Sequence, residues 1–177
     1  MKSVLISIRP DWIQKIFSGE KTIEVRKTFP KLPPPFRCFI YCTKPRYDHE
    51  DILMTMTGPL SYYWGGGKVV GEFVCTGFTN VRWLHKVVPD ESGEKFTRVY
   101  QTDYDALKKA CISEEEAAEY SNGLDTIGWH ISELKIYDNP KPLSDFKRWR
   151  GAGNWATLER LERAPQSWCY VDGGLIG

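Results

Sequence analysis

The stretch VLISIRPDWIQKIFSGEKTIEVR, residues 4–26, holds a strand, a helix and a second strand in close succession. Val4, Ile6 and Ile8 recur with a period of two, which predicts a strand over Val4 to Arg9. Pro10 suits the first helical position, where its missing N–H would lack a partner anyway, and Asp11 suits the positive end of the helix. Trp12, Ile13, Ile16 and Phe17 share one apolar helical face, and Gly19 is the natural stop. From Thr22 to Arg26 the period of two returns. Ile23 and Val25 are expected inward, and Thr22, Glu24 and Arg26 on the polar face.

Outward from there, strands outnumber helices. Pro30 to Pro35 imposes an extended connection, and Phe36 to Cys42 reads as a strand. Lys68 to Phe78 is another, with Gly71 marking a bulge or bend, and Asn80 to Lys86 continues the meander. Asp105 to Cys111 is helix-like. Ser113 followed by Glu116 is a capping box that opens a second helix, and Gly123 follows its end. Thr126 to Tyr137 is the last long strand signal. Beyond Pro142 short helical pieces dense in tryptophan are expected. Irregular alternation of this kind indicates an α+β fold: a small, mostly antiparallel, barrel-like sheet with a few short peripheral helices. The domain is expected over residues 1–140, with a loop insertion near 44–67, and residues 141–177 as a C-terminal extension packed on it.

Length and charge fit that reading. A chain of 177 residues with net charge +1 and 41% apolar residues is sized for one domain and too apolar for disorder. No apolar run nears the roughly 20 residues of a membrane span, and Met1-Lys2 leads into strand-like sequence without a signal-peptide core. A cytoplasmic protein is expected, with no membrane partner. Five cysteines form no C-x-x-C pair, and Cys38 and Cys42 lie about 13 Å apart along a strand, too far to share a metal. Reduced thiols in the core are expected. His49, His85 and His130 share no ligand spacing, so neither a metal nor a cofactor is expected. His130 should face opposite to Trp129 and Ile131. Residues 1–47 carry ten basic and three acidic side chains, whereas residues 48–126 carry seven and fourteen. A basic first quarter can present a positive face to an anion.

Chemistry concentrates between Gly19 and Arg26. Lys21 at the corner, with Thr22, Glu24 and Arg26 on one strand face, gathers an ammonium, a hydroxyl, a carboxylate and a guanidinium. Lys21 and Arg26 can bind an anion, or Glu24 and Lys21 can move a proton. The plainer alternative is a solvated strand face whose Glu24–Arg26 pair contributes under ~1 kcal/mol. Glu114, Glu115 and Glu116 are read as a helix start suited to the dipole.

This G-x-K-T-x-x-x-R stretch, after an N-terminal strand and helix, resembles the signature of the ASCH family in the PUA-like superfamily. Val69 to Phe73 resembles the family's following barrel strand. Tyr120 to Gly123 with Gly128 to Ile131 resembles its closing helix-to-strand passage, and Ala164 to Val171 looks like the tail of prophage-borne members. The resemblance implies a small β-barrel with a cleft for RNA or nucleotides. One branch of the family hydrolyses N4-acylated cytidine with a lysine, a threonine three residues on and a later glutamate. Lys21 matches the lysine and Glu119 best matches the glutamate. Glu24 stands where the threonine would be, with Thr22 displaced by about 6.6 Å along the strand.

Aromatic residues make up 14% of the chain. Tyr62-Tyr63-Trp64 beside three glycines could form a flap that stacks on bases, and Arg82-Trp83 and Arg148-Trp149-Arg150 pair guanidinium with indole. Five of the seven tryptophans are expected to be largely buried, Trp64 and Trp149 being the exceptions. Three functions follow. The first is binding of RNA, a nucleotide or a nucleoside, with Lys21, Thr22, Arg26, Tyr120 and Trp64 as contacts. The second is metal-independent hydrolysis of an acylated cytidine or of RNA, with Lys21, Glu24 and Glu119 as catalytic groups. The third is a protein-interaction module.

Overall fold

Two strands that are apolar on both faces run through the middle of the sheet. β1 (Lys2–Ile8) is buried from Ser3 onward, and β3 (Phe36–Cys42) is buried at all but one position. They pair in parallel, Val4 opposite Cys38 and Ile8 opposite Cys42. The connection between them carries α1 (Pro10–Phe17) and β2 (Ile23–Arg26). The computed structural model describes residues 1–44, 52–55, 61–151 and 155–173, the side chains of 52–55 and 61–64 excepted. The flap expected around Tyr62-Tyr63-Trp64, and the contact expected of Trp64, therefore lie outside the described side chains. The backbone there pairs β4 (Ile52–Thr55) with β5 (Ser61–Trp64) in a separate antiparallel hairpin. The order or disorder of residues 45–51 and 56–60 also lies outside the described part.

The remaining strands are antiparallel. β6 (Lys68–Pro89) is one long strand that contains both segments expected of the meander. It pairs with β3, with β7 (Phe96–Thr102) and with β8 (Thr126–Pro142). β8 carries β2 on its outer side. The helices α2 (Tyr104–Ala110) and α3 (Glu114–Ser121) fill the connection from β7 to β8. Asp103 caps α2, and Ser113 with Glu116 closes the capping box on α3.

The chain is α+β, as expected. The described strands do not close into a barrel. They follow an open path from β10 (Thr157–Arg160) through β9 (Lys147–Arg150), β11 (Trp168–Asp172), β1, β3, β6 and β8 to β2. The tail strands β11, β9 and β10 extend the sheet from the edge of β1, so that edge does not meet β2. This also corrects the expected helical pieces after Pro142: among the described residues the tail shows 3₁₀ geometry at Leu143–Asp145 and at Trp155 and is otherwise strand and loop. Trp168 and Tyr170 project to the side of Val4 and Ile6, and Cys169 and Val171 to the side of Leu5. A run that is apolar on both faces suits a strand laid beside β1, not a helix.

Three cores result. One lies under α1 and includes Ile6, Ile40, Phe73 and Trp129. The opposite face holds Leu5, Phe39, Phe146 and Leu161. A third joins Ile23, Val25 and Val81 to α2 and α3 through Leu107 and Ala117. The open sheet leaves fewer tryptophans inside than expected. Trp129 is fully buried, Trp12, Trp83, Trp149 and Trp168 are half-buried, and Trp155 is 88% exposed. Among the described residues no helix is long and apolar enough to cross a membrane.

Gly71 sits at the expected irregularity. The register shifts beside it against both neighbouring strands, between Ile40 and Tyr41 on β3 and between Val69 and Gly71 against β8. A Cβ there would lie 2.6 Å from the backbone oxygen of Lys135. Backbone cannot rotate away as a side chain can, so Gly71→Ala should separate β6 from β8 locally. The expected loss is about 1–3 kcal/mol, read as a Tm lowered by several degrees in thermal unfolding. An unchanged Tm would mean that the two strands can part there without loss.

Candidate functional site

Gly19 ends α1 with a φ of +81°, and the chain reverses directly into β2. That reversal carries Lys21 inward rather than to a polar surface. The Lys21 side chain is 3% exposed, and its Nζ donates to the backbone oxygen of Ala110 at 2.8 Å. The ammonium stands 3.4 Å from Glu24 Oε2 and 4.9 Å from the centre of the Trp12 ring. Arg26 reaches the other oxygen, Glu24 Oε1, at 2.9 Å, and also donates to the backbone oxygen of Ser7 at 2.6 Å. Arg26 Nε is buried with no hydrogen-bond partner among the described residues.

Both faces of β2 are therefore covered. Ile23 and Val25 pack on the α2 core, while Glu24 stands in register with Trp129 beside the main core. Two cations and one carboxylate share the enclosed side, leaving one positive charge in excess. Burial pulls the Lys21 ammonium below its usual 10.5, and Glu24 pushes it back up. Removing a charge from water is opposed unless another charge compensates it.

Glu24 and Arg26 open onto a cleft of about 930 Å³. One wall is the end of β1 and the start of α1, with Ser7, Arg9 and Trp12; Lys27 and Thr28 continue it beyond β2. The facing wall comes from α3, with Glu116, Glu119 and Tyr120, and Gln166 and Ser167 of the tail close one side. The tail is fastened there: Ser7 Oγ donates to the backbone oxygen of Pro165 at 2.7 Å, and Ser7 N to that of Ser167 at 2.9 Å. Lys27 Nζ lies 5.2 Å from the ring centre of the 40%-exposed Tyr120. The Glu116 carboxylate is occupied by the backbone N–H of Ser113 at 2.8 Å.

The residues expected from sequence thus divide. Glu24, Arg26, Glu119 and Tyr120 line one cleft, which the pattern alone could not establish. Lys21 lies behind Glu24 rather than on the cleft surface. Thr22 is exposed and absent from the lining; it lies just before β2, with its backbone oxygen accepting from Ile131 N and its N–H donating to Lys109 O, each at 2.9 Å. His130 is half-buried and does not line the cleft; its Nε2 has no partner among the described residues. Arg9, Trp12 and Lys27 line the cleft although the sequence pattern does not mark them as contacts. A signal for Arg9 does exist, since it directly follows an apolar strand and precedes a helix start. Among the described residues no three His, Cys, Asp or Glu side chains are placed to hold a metal.

No family model matches the chain, and no curated protein matches it. Solved structures do resemble it. A tyrosine-to-phenylalanine mutant of ZmASCH from Zymomonas mobilis aligns over 81% of this chain and 77% of its own, at 19% identity and a TM-score of 0.49. The unmutated ASCH structure from the same organism aligns over 80% and 73%, at 18% identity and 0.49. A serine-to-alanine mutant aligns over 97% and 89%, at 18% identity and 0.48. Likenesses of this degree carry no activity, substrate or partner over to this chain. The three solved structures are ASCH proteins, the family whose signature residues 19–26 of this chain resemble.

Proposed function

We propose that this chain binds RNA or a nucleotide in the cleft between β2 and α3. The observation that carries the reading is the lining itself: a carboxylate on the floor, cations on the wall and exposed aromatic surface at the mouth. Arg9 and Lys27 are the accessible phosphate contacts. Arg26 on the cleft floor and Lys21 behind it hold Glu24 in place and lend the floor its excess positive charge. Glu24 and Glu119 are acceptors for base amino or ribose hydroxyl donors, and Tyr120 offers a ring face for stacking.

The test is fluorescence anisotropy with a labelled single-stranded RNA 12-mer, repeated across a salt series. Arg9→Ala/Lys27→Ala is expected to weaken binding about tenfold and to flatten the dependence of log K on log salt by about 1.4, near 0.7 for each single-strand phosphate that is no longer neutralised. Tyr120→Ala should weaken binding with an unchanged slope. Absence of binding by the native chain, or a double variant with native slope, would refute the reading.

Hydrolysis is the second reading, and one observation favours it. Lys21 is an amine held below its ordinary basicity directly behind a cleft carboxylate. Release of cytidine from an N4-acylated cytidine, abolished in both Lys21→Met and Glu119→Gln, would establish it over binding alone.

A further inference from the structure

The tail strands bear a polar surface that the cleft does not use. In the β9–β10 pair Lys147 stands opposite Arg160, and Trp149 stands opposite Leu158. Opposite residues of an antiparallel pair share a face, and like charges there repel. Neither cation is ion-paired among the described residues, whereas Arg150 and Glu159 on the other face pair at 3.2 Å. Val171 of β11 lies opposite Arg148, so Tyr170 shares the face of Lys147 and Trp149.

Contacts join this face to the cleft without a break. Thr28 lines the cleft and accepts a hydrogen bond from Trp168 Nε1 at 3.0 Å. The Trp168 ring lies 5.4 Å from that of Tyr170, whose hydroxyl accepts the backbone N–H of the exposed Lys31 at 2.7 Å. Lys2 Nζ then stands 4.8 Å from the Tyr170 ring centre and 5.9 Å from that of Trp149. Asp172, the carboxylate in register with Lys2, is held by the amino terminus at 3.0 Å. Cations on an edge strand also serve to discourage sheet-to-sheet pairing. That role accounts for neither the aromatic rings aligned beneath Lys2 nor their continuity with the cleft.

We propose that the face of β11, β9 and β10 bearing Tyr170, Trp149, Lys147 and Arg160 is a second binding segment for single-stranded nucleic acid, continuous with the cleft at Thr28. Alternating cations and ring faces are what such a strand requires, phosphates on the one and bases on the other. The segment rests on the cleft reading for its first nucleotides and on its own residues for the remainder. It adds roughly 15–20 Å of path, counted from strand rise and spacing. The ligand is then an oligonucleotide rather than a mononucleotide, in keeping with the site sizes of about 4–16 nucleotides common among single-strand binders.

The test uses the full chain with a labelled RNA dinucleotide, a labelled RNA 12-mer and the matching DNA 12-mer. Lys147→Ala/Arg160→Ala and Trp149→Ala are each expected to weaken 12-mer binding about tenfold and to leave the dinucleotide unchanged. The charge variant alone should flatten the salt slope, by about 1.4 for RNA. Trp149→Phe keeps a ring and should restore most of the loss, which separates stacking from misfolding. Track-dependent binding of the RNA, of the DNA, or of both supports the proposal. Should the tail variants weaken the 12-mer while Arg9→Ala/Lys27→Ala does not, the cleft reading fails and the tail segment stands. Native 12-mer affinity in both tail variants, or equally tight binding of a duplex, overturns it.

Discussion

Glu24→Ala is expected to destabilise the chain by about 3–5 kcal/mol, because it leaves Lys21 and Arg26 side by side with no counter-charge. Their side chains are 3% and 13% exposed, so water reaches them only from the cleft side and replaces the carboxylate incompletely. For a chain of this length each kcal/mol moves Tm by roughly 2–4 °C, so a fall on the order of 10 °C should appear in a thermal melt. The pH dependence identifies the cause. Lys21 has a folded pKa below its unfolded one, so between the two values the folded chain binds fewer protons and stability rises with pH. Without Glu24 the folded pKa falls further and the window widens on its low side. The deficit of Glu24→Ala against the native chain should therefore shrink as pH is raised from neutrality toward 10.5, the ordinary lysine value. Arg26 keeps its charge throughout, so the recovery stays incomplete. In a Lys21→Met background the pH trend should vanish, and the cost of Glu24→Ala should itself be smaller, the signature of a coupled pair. A loss below about 1 kcal/mol would put these groups in the range of solvated surface pairs and rule out an enclosed cluster.

What the sequence discloses, and what it hides, follows from which contacts are local. The strand through Ile8, the helix ended by Gly19 and the capping box at Ser113 and Glu116 depend on neighbours a few residues away, and they stand as read. The polar side of β2 is illegible for a non-local reason. Periodicity separates Glu24 from Ile23 and Val25 but does not reveal that both faces are covered. Trp129, 105 positions beyond Glu24, stands beside the carboxylate, and α2 covers the apolar side. The same period groups Thr22 with Glu24, yet Thr22 is exposed and Glu24 buried, a difference in covering that periodicity does not carry. The tail is the largest omission. Trp168 to Val171 carries apolar side chains on both faces, a pattern that only the open edge of β1 satisfies. That edge also leaves Trp168 and Trp149 half-buried on the strands laid against it. Of the candidate site, the floor and one wall are legible around Arg26 and Glu119. The contributions of Arg9 and Ser167 require knowing that Pro165 and Ser167 return to Ser7.

Trp129→Ala is expected to cost about 3–5 kcal/mol, and to weaken the cleft as well as the fold. The ring is fully buried and stands at the meeting of three others: Phe36 at 6.2 Å, Phe78 at 5.8 Å and Trp168 at 5.9 Å between centres. Edge contacts of this kind add to the area each ring buries, so truncation removes both and leaves a cavity that a sheet residue cannot collapse to fill. Trp168 then loses the neighbour that fixes its plane, and with it the Nε1 bond that anchors Thr28 on the cleft wall. Trp129→Phe is the informative control. The indole Nε1 is buried with no hydrogen-bond partner among the described residues, so phenylalanine gives up ring area while removing an unpaired donor worth about 1–3 kcal/mol of desolvation. It should retain most of the native Tm and nucleic-acid affinity, where alanine retains neither. Equal losses from the two substitutions would show that the indole nitrogen, not the ring stack, supports the wall. A stable alanine variant with weakened binding would instead separate the cleft from the core beneath it.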